Sequence, residues 1–255
     1  MSTVLEGHLD ARPPDAPLLD VRALSAWYGA AQALFEVDLQ VWRGEVVALM
    51  GRNGAGKSTT LKAVMGLLRR RRGAIAFLGH DVSQAEPHQV ARLGLGYVPE
   101  DRRVFADLTV LENLDIGRQP PRRWADGGAA PHWSVERLFA LFPNLADAAR
   151  RRAGTLSGGE QQMLTVARSL MGNPYLLLLD EPSEGVAPLV VEQMAQMVLD
   201  LKAHGVSVLL SEQNLFFAEL VSDRAYVLEK GQLRHAGAMA ELMRNDAVRS
   251  RWLGV

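Results

Sequence analysis

A glycine-rich run between an apolar segment and a helical segment carries the clearest chemical signal in the sequence. The run Gly51-Arg-Asn-Gly-Ala-Gly-Lys-Ser58 has the pattern G-x-x-x-x-G-K-[ST] and follows the apolar residues Val46–Met50. Glycines let successive backbone N–H groups converge on phosphate oxygens, and the helix that begins near Lys57 points its positive end at the same anion. Lys57 is expected to reach the β- and γ-phosphates, and the Ser58 hydroxyl to bind Mg²⁺. The alternative is a glycine turn with a chance lysine, which the complete motif in its strand-to-helix context argues against.

Two acidic residues after a second apolar run supply the carboxylates that a Mg²⁺-dependent nucleoside triphosphatase needs. Leu176-Leu-Leu-Leu-Asp180 predicts a buried strand that ends at Asp180, which is expected to hold Mg²⁺ directly or through a water. Pro182 disfavours helix at Glu181, so we expect an extended exit that lets this carboxylate polarise the attacking water. A solvated turn is the alternative, and the phosphate-binding loop upstream favours the functional interpretation.

A second helix start with anion-binding character lies about a hundred residues after the first. Leu156-Ser-Gly-Gly-Glu-Gln-Gln162 precedes an unbroken helical pattern, so Ser157 is predicted to cap a helix. The amides at Gly158 and Gly159 would then form another anion site. Because a small kinase needs only one such site, we expect this helix to face a nucleotide on another chain.

The segments around these motifs predict an α/β core that is interrupted by a helical insertion. Apolar runs and alternation predict the strands, helical spacing predicts the helices, and residues 119–131 are expected to form an irregular surface loop. Strands are predicted at Leu18–Leu24, Val37–Val41, Val46–Met50, Leu176–Leu179 and Val206–Leu210, a hairpin at Ala225–Leu228 and Gln232–Arg234, and helices at Ser58–Leu68, Thr109–Gly117, Val135–Phe142 and Met239–Met243.

Composition excludes several other classes of protein. The 255 residues include 28 Lys and Arg against 29 Asp and Glu, a net charge of −1 that argues against a generic nucleic-acid binder. The count of Cys is 0, which excludes disulfide scaffolds, Cys-ligated zinc and thiol catalysis. No apolar run approaches the roughly 18 residues of a membrane span. We therefore expect a soluble, cytoplasmic chain whose residues 1–17 form a loose tail and not a secretory signal.

The three motifs, in this order, resemble those of the ATP-binding subunits of ABC transporters. The family signature is LSGGQ, and this chain has Glu160 at the fifth position. The resemblance covers the chain from Leu18 onward. It implies a P-loop NTPase core of the ABC type at residues 18–255, with an antiparallel β subdomain and a helical subdomain inserted at about 88–165. It also implies head-to-tail dimers that hold two ATP molecules between P-loop and signature.

The resemblance adds further site residues and shows three departures from the family pattern. Tyr28 falls where the family stacks an aromatic ring on adenine, with a core tyrosine as the alternative. Glu100 stands where the family usually has Gln, Gln213 where it has the switch histidine, and Ala187 where it has Asp. These departures leave open how fast this chain's own site hydrolyses ATP. Together, motifs and resemblance assign nucleotide contacts to Tyr28, Gly51, Asn53, Gly54, Ala55, Gly56, Lys57, Ser58, Thr59, Ser157, Gly158 and Gly159, catalytic roles to Glu181, Lys57, Gln213 and Glu100, and Mg²⁺ contacts to Ser58, Asp180 and Glu100.

The stretches of sequence that contain these departures resemble one branch of the family, the ATPase chains of branched-chain amino acid importers. The relevant stretches are Tyr97–Arg103, Leu108–Asn113, Glu184–Pro188 and Ser211–Asn214. This likeness implies a heterodimer with a second ATPase chain, two membrane-spanning permease subunits and, indirectly, a periplasmic solute-binding protein, on the cytoplasmic face of the inner membrane. Relatives on this branch also serve urea, amide and aromatic-acid uptake. No nucleic-acid partner is expected.

Two alternatives to an ATP-hydrolysing importer subunit remain. One is a weakly hydrolysing, nucleotide-gated partner of a second ATPase, and the other is a soluble ABC-type ATPase of DNA repair or translation. The latter would need a long coiled coil or a tandem second ATPase domain, and neither is present in 255 residues.

Four other features carry less weight. Arg69–Arg72 is interpreted as solvated surface, the scattered histidines argue against a structural metal, and the stripe containing Met194 and Met197 is assigned to the core. Residues Arg102–Phe105 are candidates for contacting the membrane subunits.

Overall fold

Two β-sheets and the helices that cover them make up the structure, a computed structural model that describes residues 16–254. The tail predicted for residues 1–17 lies outside the described residues as far as residue 15. In chain order the strands are β1 (Leu19–Tyr28), β2 (Ala31–Val41), β3 (Val46–Met50), β4 (Arg71–Phe77), β5 (His80–Asp81), β6 (Leu95–Val98), β7 (Leu176–Asp180), β8 (Ser207–Glu212), β9 (Arg224–Glu229) and β10 (Gln232–Ala238).

Several helices begin at the capping residues that their sequences supply. Thr109, Ser134 and Asn214 each accept a backbone N–H bond at the start of the helix that follows them. In chain order the helices are α1 (Lys57–Val64), α2 (Pro87–Leu93), α3 (Val110–Gly117), α4 (Val135–Leu141), α5 (Pro143–Asp147), α6 (Gly158–Leu170), α7 (Pro188–Ala203), α8 (Leu215–Val221), α9 (Met239–Arg244) and α10 (Asp246–Val248), with a 3₁₀ turn at Ala153–Thr155 and a π-helical turn at Arg249–Leu253.

The larger sheet has six strands in the order β10-β9-β3-β8-β7-β6. All neighbours in it are parallel except β9 and β10, which form the predicted hairpin. Because parallel strands end at the same edge, the residues after β3, β6, β7 and β8 come together there. This edge therefore gathers the phosphate-binding loop and the acidic pair that lie far apart in the sequence.

The central strands are largely apolar because both faces of the sheet are covered. Every residue of β3, β7 and β8 is buried. On β3, Val46, Ala48 and Met50 pack into one hydrophobic core, and Val47 and Leu49 pack into a second core on the opposite face.

The smaller sheet is antiparallel and has the order β2-β1-β4-β5. Leu19 pairs with Val41 and Tyr28 with Ala31, so β1 and β2 form a long hairpin that turns at Gly29. This sheet and α1 contribute to the second core. The predicted α/β fold with an antiparallel β subdomain is confirmed.

Several predicted boundaries differ from the structure: the strands predicted at Leu18–Leu24, Val37–Val41 and Gln232–Arg234 are longer, at Leu19–Tyr28, Ala31–Val41 and Gln232–Ala238. The helix expected at Ser58–Leu68 ends at Val64, and Gly66 follows with a φ of 82°, a left-handed conformation that stops the helix. The insertion expected at about residues 88–165 contains β6, which pairs with β7 in the core sheet, so its helical part follows β6.

Two residues that were expected at the surface are buried. Trp124, in the irregular segment 119–131, packs against Tyr175 with 4.5 Å between ring centroids. Arg71 is buried as well, and its guanidinium donates to the carbonyls of Leu68, Ser83 and Ala85. The interpretation of Arg69–Arg72 as solvated surface is thus wrong for Arg71, because this side chain joins three loop carbonyls that would otherwise lack partners.

Within residues 16–254, the structure contains no helix of the length and apolarity that crossing a bilayer requires.

Candidate functional site

The phosphate-binding loop connects β3 to α1. At two of its positions any residue larger than glycine would clash with a neighbouring strand. Gly51 has a φ of 153°, and a Cβ there would lie 2.5 Å from the carbonyl oxygen of Leu228. Gly56 has a φ of 109°, and a Cβ would lie 2.8 Å from the Leu34 side chain. The glycines therefore allow the loop to pack against β9 and β2, in addition to leaving its amides open.

The Lys57 side chain lies across the loop and is almost fully buried. Its Nζ is 2.9 Å from the carbonyl oxygen of Gly51 and 2.9 Å from Oε1 of Glu181. Both side chains of this ion pair are buried, with 2% and 8% of their surface exposed. The two residues that the sequence assigns to phosphate binding and water activation are thus in direct contact.

Glu181 has a left-handed backbone and not the extended one that was predicted. Its φ is 48°, and its N–H donates to the carbonyl and the hydroxyl of Ser211, each at 3.1 Å. Pro182 disfavours helix at the preceding residue, but these bonds to β8 favour a tight turn over an extended exit. The turn directs the Glu181 carboxylate back toward Lys57.

A second glutamate shares a proton with Glu181. Burial favours the neutral form of Glu181, but the hydrogen bond with Glu184 and the ion pair with Lys57 outweigh it and lower the pKa of Glu181. The same hydrogen bond, partial burial and the charges of Glu181 and Glu100 raise the pKa of Glu184 to about 7. Below about pH 7, Glu184 is therefore mostly protonated and donates to an ionised Glu181, and above that pH it loses the proton.

Asp180 is held by two hydroxyl groups from neighbouring strands. Ser211 Oγ donates to its Oδ1 at 2.7 Å, and the Tyr97 hydroxyl donates to its Oδ2 at 3.0 Å. Burial and the charge of Asp180 raise the pKa of Tyr97, which keeps the phenol protonated as a donor. The sequence did not identify Tyr97 or Ser211 as site residues, although both lie near the carboxyl ends of the strands that flank β7.

A cavity of about 510 Å³ lies over the start of α1. Of the predicted residues it brings together Gly54–Thr59 and Glu181, and it adds four that the sequence did not indicate. The additional lining residues are Gln32, Ala33, Phe35 and Lys230. The predicted residues that do not line it are Tyr28, Gly51, Asn53, Glu100, Asp180, Gln213, Ser157, Gly158 and Gly159.

Three of these residues lie at or just after the ends of strands. Tyr28 ends β1 and is 50% exposed, which excludes the alternative of a core tyrosine and leaves its ring open for stacking. Glu100 is exposed after β6, close enough to Glu184 to affect its pKa. Gln213 is exposed after β8, and its N–H donates to the Glu212 carboxylate at 3.2 Å.

Glu212 joins two loops at the same edge of the sheet. Its buried carboxylate accepts the N–H of Ser183 at 2.9 Å, and the N–H groups of Gln213 and Asn214 at 3.2 Å each. Burial raises the pKa of Glu212. The carboxylate thereby ties the loop after Glu181 to the loop after β8. The sequence did not reveal this role, because the two loops are separate segments of the chain.

The oxygen donors fit a magnesium ion only in combination with phosphate. Ser58 lines the cavity and Asp180 lies buried at the adjoining strand end. No group of three or more His, Cys, Asp or Glu side chains within residues 16–254 is arranged to hold a metal. A hydroxyl, one carboxylate, phosphate oxygens and waters are the usual ligands of Mg²⁺ beside a nucleotide, so these residues fit that ion.

The predicted second helix start has the expected cap. Ser157 Oγ accepts the Glu160 N–H at 3.3 Å, and the Glu160 carboxylate accepts the Ser157 N–H at 2.7 Å. A Cβ on Gly158 would lie 2.4 Å from Nη1 of Arg102, so this guanidinium lies against the first turn of α6. None of these residues lines the cavity described above.

Known proteins are similar to this chain in both sequence and fold. Residues 34–184 match the family model described as "ABC transporter". The chain is 41% identical to the high-affinity branched-chain amino acid transport ATP-binding protein BraG of Pseudomonas aeruginosa, over 93% of this chain and 100% of that protein. It is 34% identical to the lipopolysaccharide export system ATP-binding protein LptB of Haemophilus influenzae, over 93% of this chain and 97% of that protein.

The fold is also similar to that of a solved structure. The fold is similar to the ADP conformation of an ATP-binding cassette of an ABC transporter, with a TM-score of 0.76 and 29% identity over 91% of this chain and 97% of that one.

Proposed function

The chain belongs to the ABC transporter family of ATP-binding proteins, and from this premise we propose that its cavity binds Mg-ATP and that Glu181 activates the hydrolytic water. Members of this family are ATPases, and so is this chain. The observation that carries the residue assignment is the buried contact between Lys57 and Glu181 at the start of α1. It brings a phosphate-binding cation and a carboxylate to one point, where the terminal phosphate and its attacking water would lie.

Nucleotide binding would exchange the partner of Lys57. While the ion pair is intact, the Lys57 ammonium neutralises Glu181 and so withholds this carboxylate from acid–base chemistry. A terminal phosphate offers Lys57 a stronger, doubly charged acceptor, which frees Glu181 to orient and deprotonate a water. Glu184, which shares a proton with Glu181, would then hold the freed carboxylate in place.

The remaining residues hold the phosphates and the metal. The amides of Gly54–Thr59 cradle the phosphates at the positive end of α1. Ser58 and Asp180 would hold Mg²⁺, which neutralises phosphate charge that develops during hydrolysis. Ser211 and Tyr97 fix the orientation of Asp180.

The second half of each ATP site would come from a partner. ABC ATPases work as dimers with membrane permease subunits. We propose that Ser157–Gly159 contact the ATP held by a second, different ATPase chain, and that this chain's phosphate loop faces the partner's signature. The exposed position of Ser157, away from its own cavity, supports this arrangement.

We further propose uptake of branched-chain amino acids or a related small polar solute such as urea, an amide or an aromatic acid. The 41% identity to a branched-chain amino acid transport ATP-binding protein, against 34% to a lipopolysaccharide export ATP-binding protein, supports amino acid transport. The assembly would include two permease subunits and, indirectly, a periplasmic solute-binding protein, with this chain peripheral on the cytoplasmic face of the membrane. Copurification of a second ATPase and permeases, followed by uptake of labelled leucine into vesicles, tests this; copurification of self-dimers alone would contradict it.

Two substitutions test the residue assignments. Lys57→Ala removes the cation that contacts the phosphates, so we expect loss of ATP binding by titration calorimetry. Glu181→Gln retains the shape of the side chain but cannot accept a proton, so ATP binding persists, turnover falls by about a hundredfold or more, and a closed dimer accumulates. Unchanged turnover in Glu181→Gln would remove Glu181 from the mechanism.

A nucleotide-gated partner with weak hydrolysis is the second candidate. The position of Gln213, exposed and outside the cavity, favours it, because no side chain at the usual switch position lies beside the phosphates. Measuring turnover with and without the second ATPase separates the two candidates: the gated partner hydrolyses ATP slowly in both conditions.

A further inference from the structure

The cavity contains a cation that none of the sequence motifs includes. Lys230 lies in the turn between β9 and β10 and lines the cavity together with the phosphate-binding loop. This residue is separated from the loop by more than 170 positions along the chain. Only the folding of β9 beside β3 brings the two together.

Lys230 is the unpaired charge of the cavity. The other two ionisable side chains that line it, Lys57 and Glu181, form an ion pair with each other. Within residues 16–254, no carboxylate lies within ion-pair distance of Lys230, and the neighbouring Glu229 pairs with Arg234 instead. An approaching anionic nucleotide therefore meets one cation whose charge is not already neutralised.

The backbone holds this lysine firmly at the cavity edge. The Gly231 N–H donates to the Ala55 carbonyl at 2.8 Å, and the Gly231 carbonyl accepts the Phe35 N–H at 2.8 Å. The turn is thereby tied to the phosphate-binding loop on one side and to β2 on the other. Lys230 itself has a φ of 50°, a left-handed conformation that is unfavourable for a residue other than glycine, so the two bonds of Gly231 are needed to hold the turn.

The position of the turn indicates which phosphate Lys230 contacts. Lys57 and Glu181 mark the end of the cavity where the terminal phosphates lie. Gly231 packs against Ala33 and Phe35 of β2, at the end nearer the β1–β2 turn and Tyr28. A nucleotide with its base at Tyr28 and its terminal phosphates at Lys57 has its α-phosphate between them, on the Lys230 side.

From these observations we propose that the Lys230 ammonium binds an oxygen of the nucleotide α-phosphate and acts as a positioning residue for ATP and ADP alike. This inference rests on the proposed nucleotide-binding function. Because the α-phosphate does not change during hydrolysis, Lys230 contributes to affinity and leaves the chemical step unaffected.

The test uses Lys230→Asn in the full-length chain. Asparagine removes the cation and tolerates the left-handed backbone better than alanine does, so the turn is preserved. Titration calorimetry with ADP and with the non-hydrolysable analogue AMP-PNP is expected to show about fivefold weaker binding of both nucleotides, and kcat is expected to be unchanged. Lys230→Arg should restore the affinity. Lys62→Ala, on the last turn of α1 and outside the cavity, removes the same charge and should leave both affinities unchanged.

The possible failures are distinguishable. Unchanged affinity in Lys230→Asn, an equal loss in Lys62→Ala, or a loss confined to AMP-PNP would each overturn the α-phosphate contact. If the unsubstituted chain binds neither nucleotide, the proposed function fails as well. If the unsubstituted chain binds both, Lys57→Ala binds neither and Lys230→Asn binds normally, only the role of Lys230 is refuted.

Discussion

At the scale of single residues, the site is organised by the sharing of charge among a few buried side chains. Lys57 neutralises Glu181, Glu184 shares a proton with Glu181, and Asp180 is bound by two hydroxyl groups. The pKa of Glu181 is therefore lowered and that of Glu184 raised by the same contact. The consecutive residues Asp180 and Glu181 contact different partners, two hydroxyl groups in one case and an ammonium group in the other.

The raised pKa of Glu184 predicts a pH dependence of stability. Its value of about 7 in the folded chain lies above the ordinary 4.5, so the folded state retains a proton that the unfolded state has lost. The stabilisation is complete below about pH 4.5 and is lost as the pH rises through about 7. Glu184→Gln should therefore gain stability relative to the unsubstituted chain between pH 5.5 and 8.0, which thermal unfolding of the nucleotide-free chain over about that range would measure. Parallel curves for the two proteins would contradict the shared proton, and Glu219→Gln, exposed on α8, serves as the control.

At the scale of elements, the motifs predicted the loop, the helix cap and the acidic pair that lie at single strand ends and helix starts. They did not predict the contacts between neighbouring elements. The loop after β3, the cap of α6 and the acidic pair after β7 are local patterns, so the sequence alone indicated them. The hydroxyls of Tyr97 and Ser211 and the carboxylate of Glu212 act through neighbouring strands, and strand order is not written in any one segment. The left-handed turn at Glu181 was missed for the same reason, since bonds to β8 stabilise it.

A strained turn joins the loop of Glu100 to the signature helix. Arg102 and Arg103 have φ values of 61° and 42°, and their carbonyls accept bonds from Thr165 and Arg168 of α6. Consecutive left-handed residues other than glycine are costly, so these bonds are needed to hold the turn. Movement at Glu100 would therefore be transmitted directly to α6, which starts at the signature.

Removing one of these bonds should expose the turn to protease. Thr165→Val keeps the shape of the side chain but removes the hydroxyl that donates to the Arg102 carbonyl. Loss of about 1 kcal/mol would open the turn about fivefold more often, so trypsin should cleave after Arg102 or Arg103 about fivefold faster. Thr165→Ser retains the hydroxyl and should cleave at the original rate. An unchanged rate in Thr165→Val, measured by mass spectrometry of the fragments, would show that Thr165 does not hold the turn.

At the scale of the whole molecule, the proposed function divides each nucleotide site between two chains, so this chain would carry two incomplete halves. The phosphate-binding loop lines the cavity, and the capped start of α6 lies outside it. Each half requires a complementary surface, which a head-to-tail dimer supplies twice. Whether the complementary surface belongs to an identical chain or to a different ATPase decides how substitutions in the two halves combine.

The combination of two substitutions distinguishes these assemblies. Lys57→Ala disables the phosphate-binding loop, and Ser157→Arg blocks the signature. In a self-dimer either variant alone inactivates both sites, whereas a mixture of the two restores one site in half of the dimers, about a quarter of full turnover. In the proposed heterodimer each variant disables only one of the two sites, and the variants never meet in one complex. We therefore expect the purified assembly to retain part of its ATP turnover with either variant. The turnover of the mixture should equal the average of the turnovers of the two variants. Turnover of the mixture well above that average would establish a self-dimer and refute the heterodimer, while a chain carrying both substitutions should be inactive in either case.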